Sequence, residues 1–500
     1  MLFLGIDLGT SSVKLTVVDS RTRKTIASIQ YPEIEMPIMS PQPGWAEQNP
    51  DIWWENTCIA IEQLHNTKLY NPQEITSIGI AYQMHGLVMV DEQLNSIYNS
   101  IIWCDSRAVA IGDVAAKEIS IENCLSSMLN TPGNFTASKL AWIKKHEPEV
   151  YAKIYKIMLP GDFIAMKLTG KCSTTISGLS EGIFWDFKKQ EISENVINAF
   201  QFDANLVPEY QPCFANHGTI KSEMAEKFSL RNDTIVSYKA GDQPNNALAL
   251  NVFSEGEVMA NAGTSGVIYS ISEKATSDPE SKINSFAHVN YDKQNTRIGQ
   301  LLCINGGGIT SAWMRSLAQT PLSYSILNER AAIIPEGADG LACFPFGNGA
   351  ERMFGNLNIG AQLRGINYAI HKNEHMYRAG LEGVAFSFKY GLELLQELGT
   401  TVKVIRAAKA NMFLSEIFIS AFVNTTGIPL ELYQTDGSWG AAIGAGIGSG
   451  QFTTETAFEG IKPVQTISPY NKSAYPELYK KWKSSLIQIL QTQNKNATNE

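Results

Sequence analysis

Two copies of one small device, about half a chain apart, set the tightest limit on how this chain folds. Gly5-Ile6-Asp7-Leu8-Gly9-Thr10-Ser11-Ser12 stands near the start and Ala262-Gly263-Thr264-Ser265-Gly266 past the middle. Each lies between apolar runs that read as strands, Met1 to Ile6 and Val13 to Val18 around the first, Val258 to Ala262 and Val267 to Ile271 around the second. Each is therefore a tight strand-turn-strand. Glycine lets backbone N–H groups approach an anion closely, and Thr and Ser hydroxyls add donors, so each turn reads as a phosphate cradle. Asp7 ends the first strand beside its cradle. Mg²⁺ takes hard oxygen ligands, one or two carboxylates with waters and phosphate oxygens, which makes Asp7 the candidate metal-holding residue. Two cradles predict one phosphate chain clamped between two domains.

At 500 residues the chain exceeds the size at which a single core keeps growing. The expected division is 1–250 and 251–490, with a cleft between. A charge of −9, from 40 basic and 49 acidic residues, argues against a general nucleic-acid or anionic-membrane binder. No apolar run is long enough to span a membrane, and the start, Met1 to Asp7, lacks the basic segment of a secretory signal, so a cytoplasmic protein is expected. The seven cysteines have no Cys-x-x-Cys spacing and give neither a disulfide framework nor a zinc site.

Along the chain, Leu2 to Asp7, Val13 to Asp19 and Thr25 to Tyr31 read as three antiparallel strands. Asn49-Pro50 opens a helix carrying Trp54, Cys58, Ile61 and Leu64, and Ile75 to Ala81 is a fourth strand. That order is an α/β domain with a mixed sheet. Ala110 to about Phe202 is more helical. The pattern restarts at Ile235 with a strand into Ala240-Gly241-Asp242, a helix over Asn245 to Asn251 and the second cradle. Later come a strand at Val402 to Arg406, a helical face of Leu414, Ile417, Phe418, Ala421 and Phe422, and a strand at Ile428 to Tyr433. The small residues of Thr435-Asp436-Gly437-Ser438-Trp439-Gly440-Ala441-Ala442-Ile443-Gly444-Ala445-Gly446 suit a helix that packs very closely. After about Gln491 the polar tail is expected to be disordered.

This order of motifs resembles the FGGY carbohydrate kinases, relatives of actin and the ATP-dependent heat-shock chaperones, and the resemblance runs essentially end to end. Gly5 to Lys14 is similar to that family's first phosphate motif, Ala260 to Tyr269 to its second and Thr435 to Gly446 to its late interdomain helix. The resemblance implies two ribonuclease H-like domains, with ATP and a small sugar in the cleft. Within the family, Gln83-Met84-His85-Gly86 is similar to the signature of members that phosphorylate the ketopentose D-xylulose. Gly44 to Pro50, Trp103-Cys104-Asp105-Ser106-Arg107 and Leu159 to Phe163 extend the likeness. By that likeness Met84, His85 and Asp105 line the sugar pocket, and Asp242 is the general base that also meets the sugar. Thr10, Ser11, Ser12, Lys14, Gly263, Thr264, Gly307, Gly308 and Asn411 hold the nucleotide, and Asp7 holds Mg²⁺. A homodimer is compatible with the likeness; the sequence itself does not give the oligomeric state.

The chain also departs from the family pattern. Asp242-Gln243 replaces the usual Asp-Asn, Cys104 replaces Asn, and Arg406-Ala407-Ala408-Lys409-Ala410-Asn411 replaces a glycine-rich adenosine loop. The alternatives are a family kinase acting on ribulose, rhamnulose, fuculose or glycerol, and a nucleotide-dependent sensor without turnover. A sugar-kinase-like transcriptional regulator is disfavoured because no basic helix-turn-helix segment precedes Met1 to Asp7 or follows Trp482.

Overall fold

The structure, a computed structural model, describes residues 1–317 and 322–497. Its two large sheets repeat one wiring. In the first, Leu2–Leu8, Val13–Asp19 and Thr25–Tyr31 form an antiparallel meander, and Ile75–Tyr82 and then Ile235–Gly241 add in parallel beside the first strand. In the second, the meander is Glu257–Ala262, Gly266–Ser272 and Ile298–Ile304, and Val404–Ala408 and Leu430–Tyr433 add in parallel. Counting these strands in chain order, both sheets read 3-2-1-4-5 from edge to edge. Antiparallel strands widen the edges: Phe214–Thr219 on the first sheet, Asn284–Ala287 and Gln465–Ile467 on the second. The expectation of two ribonuclease H-like sheets of the actin-like ATPase kind is met.

Local chemistry explains the elements. Leu2–Leu8 is buried almost throughout because it is central and covered on both faces, so it reads as a continuous apolar run. The Pro50–Asn66 helix starts where expected: Asn49 accepts a hydrogen bond from the Asp51 N–H, and Pro50 occupies a first-turn position that needs no donor.

Three expectations are corrected. The helix placed at Asn245 begins at Asp242, directly after its strand. Leu414 lies outside the following helix, in the Asn411–Leu414 turn, and is 65% exposed, because Ser415 caps Glu416–Thr426 through the Phe418 N–H. The final helix, Tyr475–Ala497, runs past Gln491; Trp482, Leu486 and Ile489 give it an apolar face buried on the second core. Residues 498–500, the end of the tail expected to be disordered, lie outside the described residues.

Two helices join the halves. Asp242–Ala249 packs against strands of both sheets. Gly437–Gly448 returns to the first sheet, where Gly5 faces the Ser438 carbonyl and Ala442, and Gly79 faces the Ala441 carbonyl and Ala445. A Cβ at either glycine would overlap helix backbone that has nowhere to move. Among the described residues no helix is long and apolar enough to cross a membrane.

Gly79→Val should therefore destabilise the fold by about 3 kcal/mol, the upper end of overpacking costs. Circular dichroism melting checks it; an unchanged midpoint would mean the helix does not rest on this strand.

Candidate functional site

The parallel strands Leu2–Leu8, Ile75–Tyr82 and Ile235–Gly241 end level with one another, Leu8 and Gly241 both pairing with Tyr82. Their C-terminal edge is where open α/β sheets bind ligands. There the structure brings together Asp7, the Thr10 turn, Gln83 to His85 and Asp242.

Asp7 is partly open to this cleft. Burial, then the charges of Asp242 and Asp436, push its pKa up to about 7, against the pull of Lys14. Lys14 is committed to Asp436, Nζ to Oδ2 at 2.8 Å. Asp436 is opposed by burial, yet Lys14, the Ser438 hydroxyl and the Trp439 N–H hold it below the ordinary carboxylate range. It also caps the Gly437–Gly448 helix, whose first residue abuts the Asp7 carboxylate. Asp242 heads its helix, and burial raises it to about 6, opposed by hydrogen bonds from Gln243. Gln243 Nε2 lies 3.2 Å from Asp242 Oδ2, so the departure from Asp-Asn still supplies an amide that holds the carboxylate.

His85 takes a left-handed backbone, φ 62°. Its carbonyl accepts from the buried Lys139 ammonium at 2.8 Å, and its ring lies between Phe135 and Phe286, 4.9 and 5.3 Å away by centroids. Phe286 comes from the second sheet. Burial, then Lys139, lowers the His85 pKa to about 3, so the ring is neutral. Nδ1 faces the Glu181 carbonyl at 3.0 Å. A carbonyl only accepts, so Nδ1 carries the hydrogen and Nε2 offers a lone pair. Met84 is buried against Gly241. Glu181, unremarked in the sequence, lies beside the same glycine, wholly buried with neither carboxyl oxygen hydrogen-bonded; burial pushes it well above the usual range and keeps it neutral.

In the first turn only the Gly9 N–H is used locally, by the Ser12 carbonyl at 3.0 Å. Among the described residues the N–H groups of Thr10, Ser11 and Ser12 take no protein partner, which leaves an anion cradle. The side chains differ from expectation. The Thr10 hydroxyl bonds Gln83 Oε1 at 3.1 Å and accepts from Trp103 Nε1 at 3.0 Å, and Ser12 Oγ accepts from Gln30. Gln83 bonds Gln48, which returns to the Thr10 carbonyl. Asp105 is also spent inside the protein: it is fully buried, ion-paired with Arg107 at 2.7 Å and bonded to the Ala46 N–H at 2.6 Å. The structure does not open it to the cleft.

The second turn meets the start of the Gly308–Ser316 helix, where the Gly308 and Ile309 N–H groups bond the Gly263 and Thr264 carbonyls. Asn411 brings its amide beside Gly263. Gly263, Thr264, Gly307, Gly308 and Asn411 thus lie together in the structure. Arg406, from the altered loop, is structural, paired with Glu257 and Glu431 at 2.9 Å each. Next to Gly308 opens a pocket of about 340 Å³ with walls from Ile309, Thr310, Trp313, Met314, Asn348 and Gln362. Its size and mostly apolar lining suit a flat heterocycle with a few polar edges. Trp313 carried no sequence signal beyond following three glycines.

Residues 2–249 match the FGGY family of carbohydrate kinases, N-terminal domain. Over 414 residues the chain is 30% identical to the xylulose kinase of Haemophilus influenzae, spanning 81% of this chain and 82% of that protein. The chain belongs to the FGGY family of carbohydrate kinases. The xylulose kinase of Bacillus subtilis is 29% identical over 96% of both chains. Among solved structures, the xylulose kinase from Rhodospirillum rubrum superposes with a TM-score of 0.87, at 24% identity, over 99% of this chain and 100% of that one. Plasmodium falciparum glycerol kinase with ADP gives 0.86, at 20% identity, over 98% of both. These two establish the fold.

A metal is tested by its donor set. Among the described residues no three His, Cys, Asp or Glu side chains form a ready cage. Mg²⁺ ordinarily needs none, since waters and phosphates complete its shell, and a carboxylate strained by two acidic neighbours fits a dication.

Asp105→Asn leaves Arg107 with Glu47 as its one acidic partner. It should lower the melting temperature sharply, a cost of about 3 kcal/mol for breaking a buried pair. A sugar KM effect at unchanged melting temperature would instead place Asp105 in the pocket.

Proposed function

We propose that this carbohydrate kinase transfers the γ-phosphoryl group of ATP to D-xylulose, giving D-xylulose 5-phosphate, with Asp242 as general base. The observation that carries the reading is the juxtaposition at one sheet edge of a partly open carboxylate, Asp242, a neutral imidazole acceptor, His85, and an anion cradle, Thr10 to Ser12. The likeness to curated xylulose kinases and the Gln83-Met84-His85-Gly86 stretch support the choice of sugar.

A primary hydroxyl is a weak nucleophile, and phosphoryl transfer is mostly positioning and charge neutralisation. Asp242 takes the hydroxyl proton while the sugar oxygen bonds to the γ-phosphorus and the bridging oxygen leaves with ADP. His85 Nε2 accepts a hydrogen bond from another hydroxyl and orients the ring. The N–H groups of the two turns receive phosphates, Asn411 and the Trp313 pocket receive the nucleoside, and Lys14 stands nearby through Asp436. Asp7 would hold Mg²⁺, which supplies positive charge to the phosphates. We place the domain division near residue 250, where the first sheet has been completed by its own strands and the Asp242–Ala249 helix leads into the second. Closure excludes water, the competing acceptor.

The testing experiment is ADP release with Mg·ATP across D-xylulose, D-ribulose, L-ribulose, L-rhamnulose, L-fuculose and glycerol. D-Xylulose should be strongly preferred; preference for another substrate would move the name and keep the chemistry. Asp242→Asn should lose at least about 100-fold in kcat; a loss under about threefold would remove the base assignment. The base works ionised, so kcat/KM should fall as pH drops below about 6 and stay flat above. A carboxyl whose folded pKa is raised is stabilising below its unfolded pKa and loses that contribution as pH rises through the folded one. Asp242→Asn should therefore melt higher than wild type at pH 8 and match it near pH 4.

A further inference from the structure

We propose that Arg352 is the cation that grips the phosphoryl group as it passes to the sugar and holds the sugar-phosphate product. The inference rests on the kinase reading above and adds a residue to the same cleft.

Arg352 is half-buried, at the start of the Arg352–Phe354 turn. Its Nε donates to the Ser281 carbonyl at 2.8 Å. Among the described residues no carboxylate lies within ion-pair distance, and its terminal nitrogens are not sealed from solvent. Arg107, Arg378 and Arg406 are instead spent on carboxylates, Arg107 on Asp105 and Glu47, Arg378 on Glu382, and Arg406 on Glu257 and Glu431. A desolvated guanidinium with no carboxylate in contact, only Asp278 acting on it from beyond ion-pair distance, is an anion site in waiting.

Its surroundings say which anion. The Arg352 charge acts on the His85 ring and on the Cys303 thiol, and Cys303 also feels Asp242 and Glu351. The Arg352–Phe354 turn packs on the Ile298–Ile304 strand, whose neighbour Asn284–Ala287 lays Phe286 against the His85 ring, so Arg352 stands on the side of the second sheet that meets His85. It is held firmly. Asp278 accepts from the N–H groups of Glu280, Lys282 and Ile283 and so fixes the loop that presents the Ser281 carbonyl. The adjacent Glu351 accepts from the Asn305 and Gly306 N–H groups at 3.0 and 3.1 Å, tying the Arg352 turn to the glycines of the nucleotide loop. A fork of N–H donors fixed before reaction is what a charge-spreading transition state uses best. As the oxygen–phosphorus bond forms and the bridging bond to ADP breaks, the hydroxyl proton goes to Asp242. Arg352 stays protonated and hydrogen-bonds the equatorial oxygens, which remain as the product's phosphate.

Two tests decide it. In wild-type protein, phenylglyoxal modification of Arg352, read by peptide mass spectrometry, should be suppressed by D-xylulose 5-phosphate and by inorganic phosphate but not by D-xylulose. Unchanged modification with both anions would overturn the proposal. Arg352→Gln should lose at least about 100-fold in kcat, as removal of a preorganised donor does, with sugar KM within about threefold. Arg352→Lys should retain at least about tenfold more activity than Arg352→Gln. A Gln variant within about threefold of wild type, or a Lys variant no better than Gln, would also overturn it. If wild type fails to use D-xylulose, the sugar reading alone falls, since protection by inorganic phosphate tests Arg352 independently.

Discussion

The site depends on how closely the Gly437–Gly448 helix lies on the first sheet. With Gly5 and Gly79 beneath it, helix backbone meets strand backbone with no side chain between. That contact carries a segment from the far end of the chain onto the strand bearing Asp7. Asp436 then reaches Lys14, and Gly437 reaches the Asp7 carboxylate. Any side chain at these glycines would lift the helix and dissolve the grouping, so a packing constraint in the sheet sets the chemistry at its edge.

The grouping is electrostatically costly by itself. Asp242 and Asp436 both act on Asp7, and Lys14 answers Asp436 most directly. Burial, then the charges of Asp242 and Asp162, hold the Glu181 carboxyl well above its usual range, so it avoids adding a further charge. Such crowding is the usual state of a site whose missing partner is cationic or brings cations with it. The opposite half shows the complementary defect, with Arg352 lacking a carboxylate. On the function and the Arg352 role proposed above, a phosphate chain with its dication would satisfy both.

Much of this was legible in the sequence because it depends on short, local patterns. The twin turns, the Asn49-Pro50 cap and the strand leading into Asp242 are encoded within a few residues each. What stayed hidden was which side chains are free. Thr10 and Asp105 lie in motifs that read as ligand-binding, yet Gln83 and Trp103 occupy one and Arg107 the other. Gln83 and Trp103 are distant from Thr10 in sequence, and although Arg107 is only two residues from Asp105, only the folded chain shows that the pair is buried and closed to the cleft. Leu414 fits the helical period of its neighbours, but the Ser415 cap excludes it. The polar residues after Gln491 continue a helix whose buried residues, Tyr475, Tyr479, Trp482, Leu486 and Ile489, all come before them, so local polarity hid the helix. Arg352 and Trp313 gave no local signal at all: the first is identified by the partner it lacks, the second by a pocket built from separate segments.

The orientation of His85 carries a last consequence. Its Nδ1 hydrogen is committed to the Glu181 carbonyl, and the ring is too buried to take up a second proton at ordinary pH. Whatever meets Nε2 must bring its own hydrogen. At that point the pocket reads a donor, and no oxygen without one will satisfy it. A fluorine or a methyl ether would leave the lone pair facing another lone pair, whereas an amine would be accepted as readily as a hydroxyl.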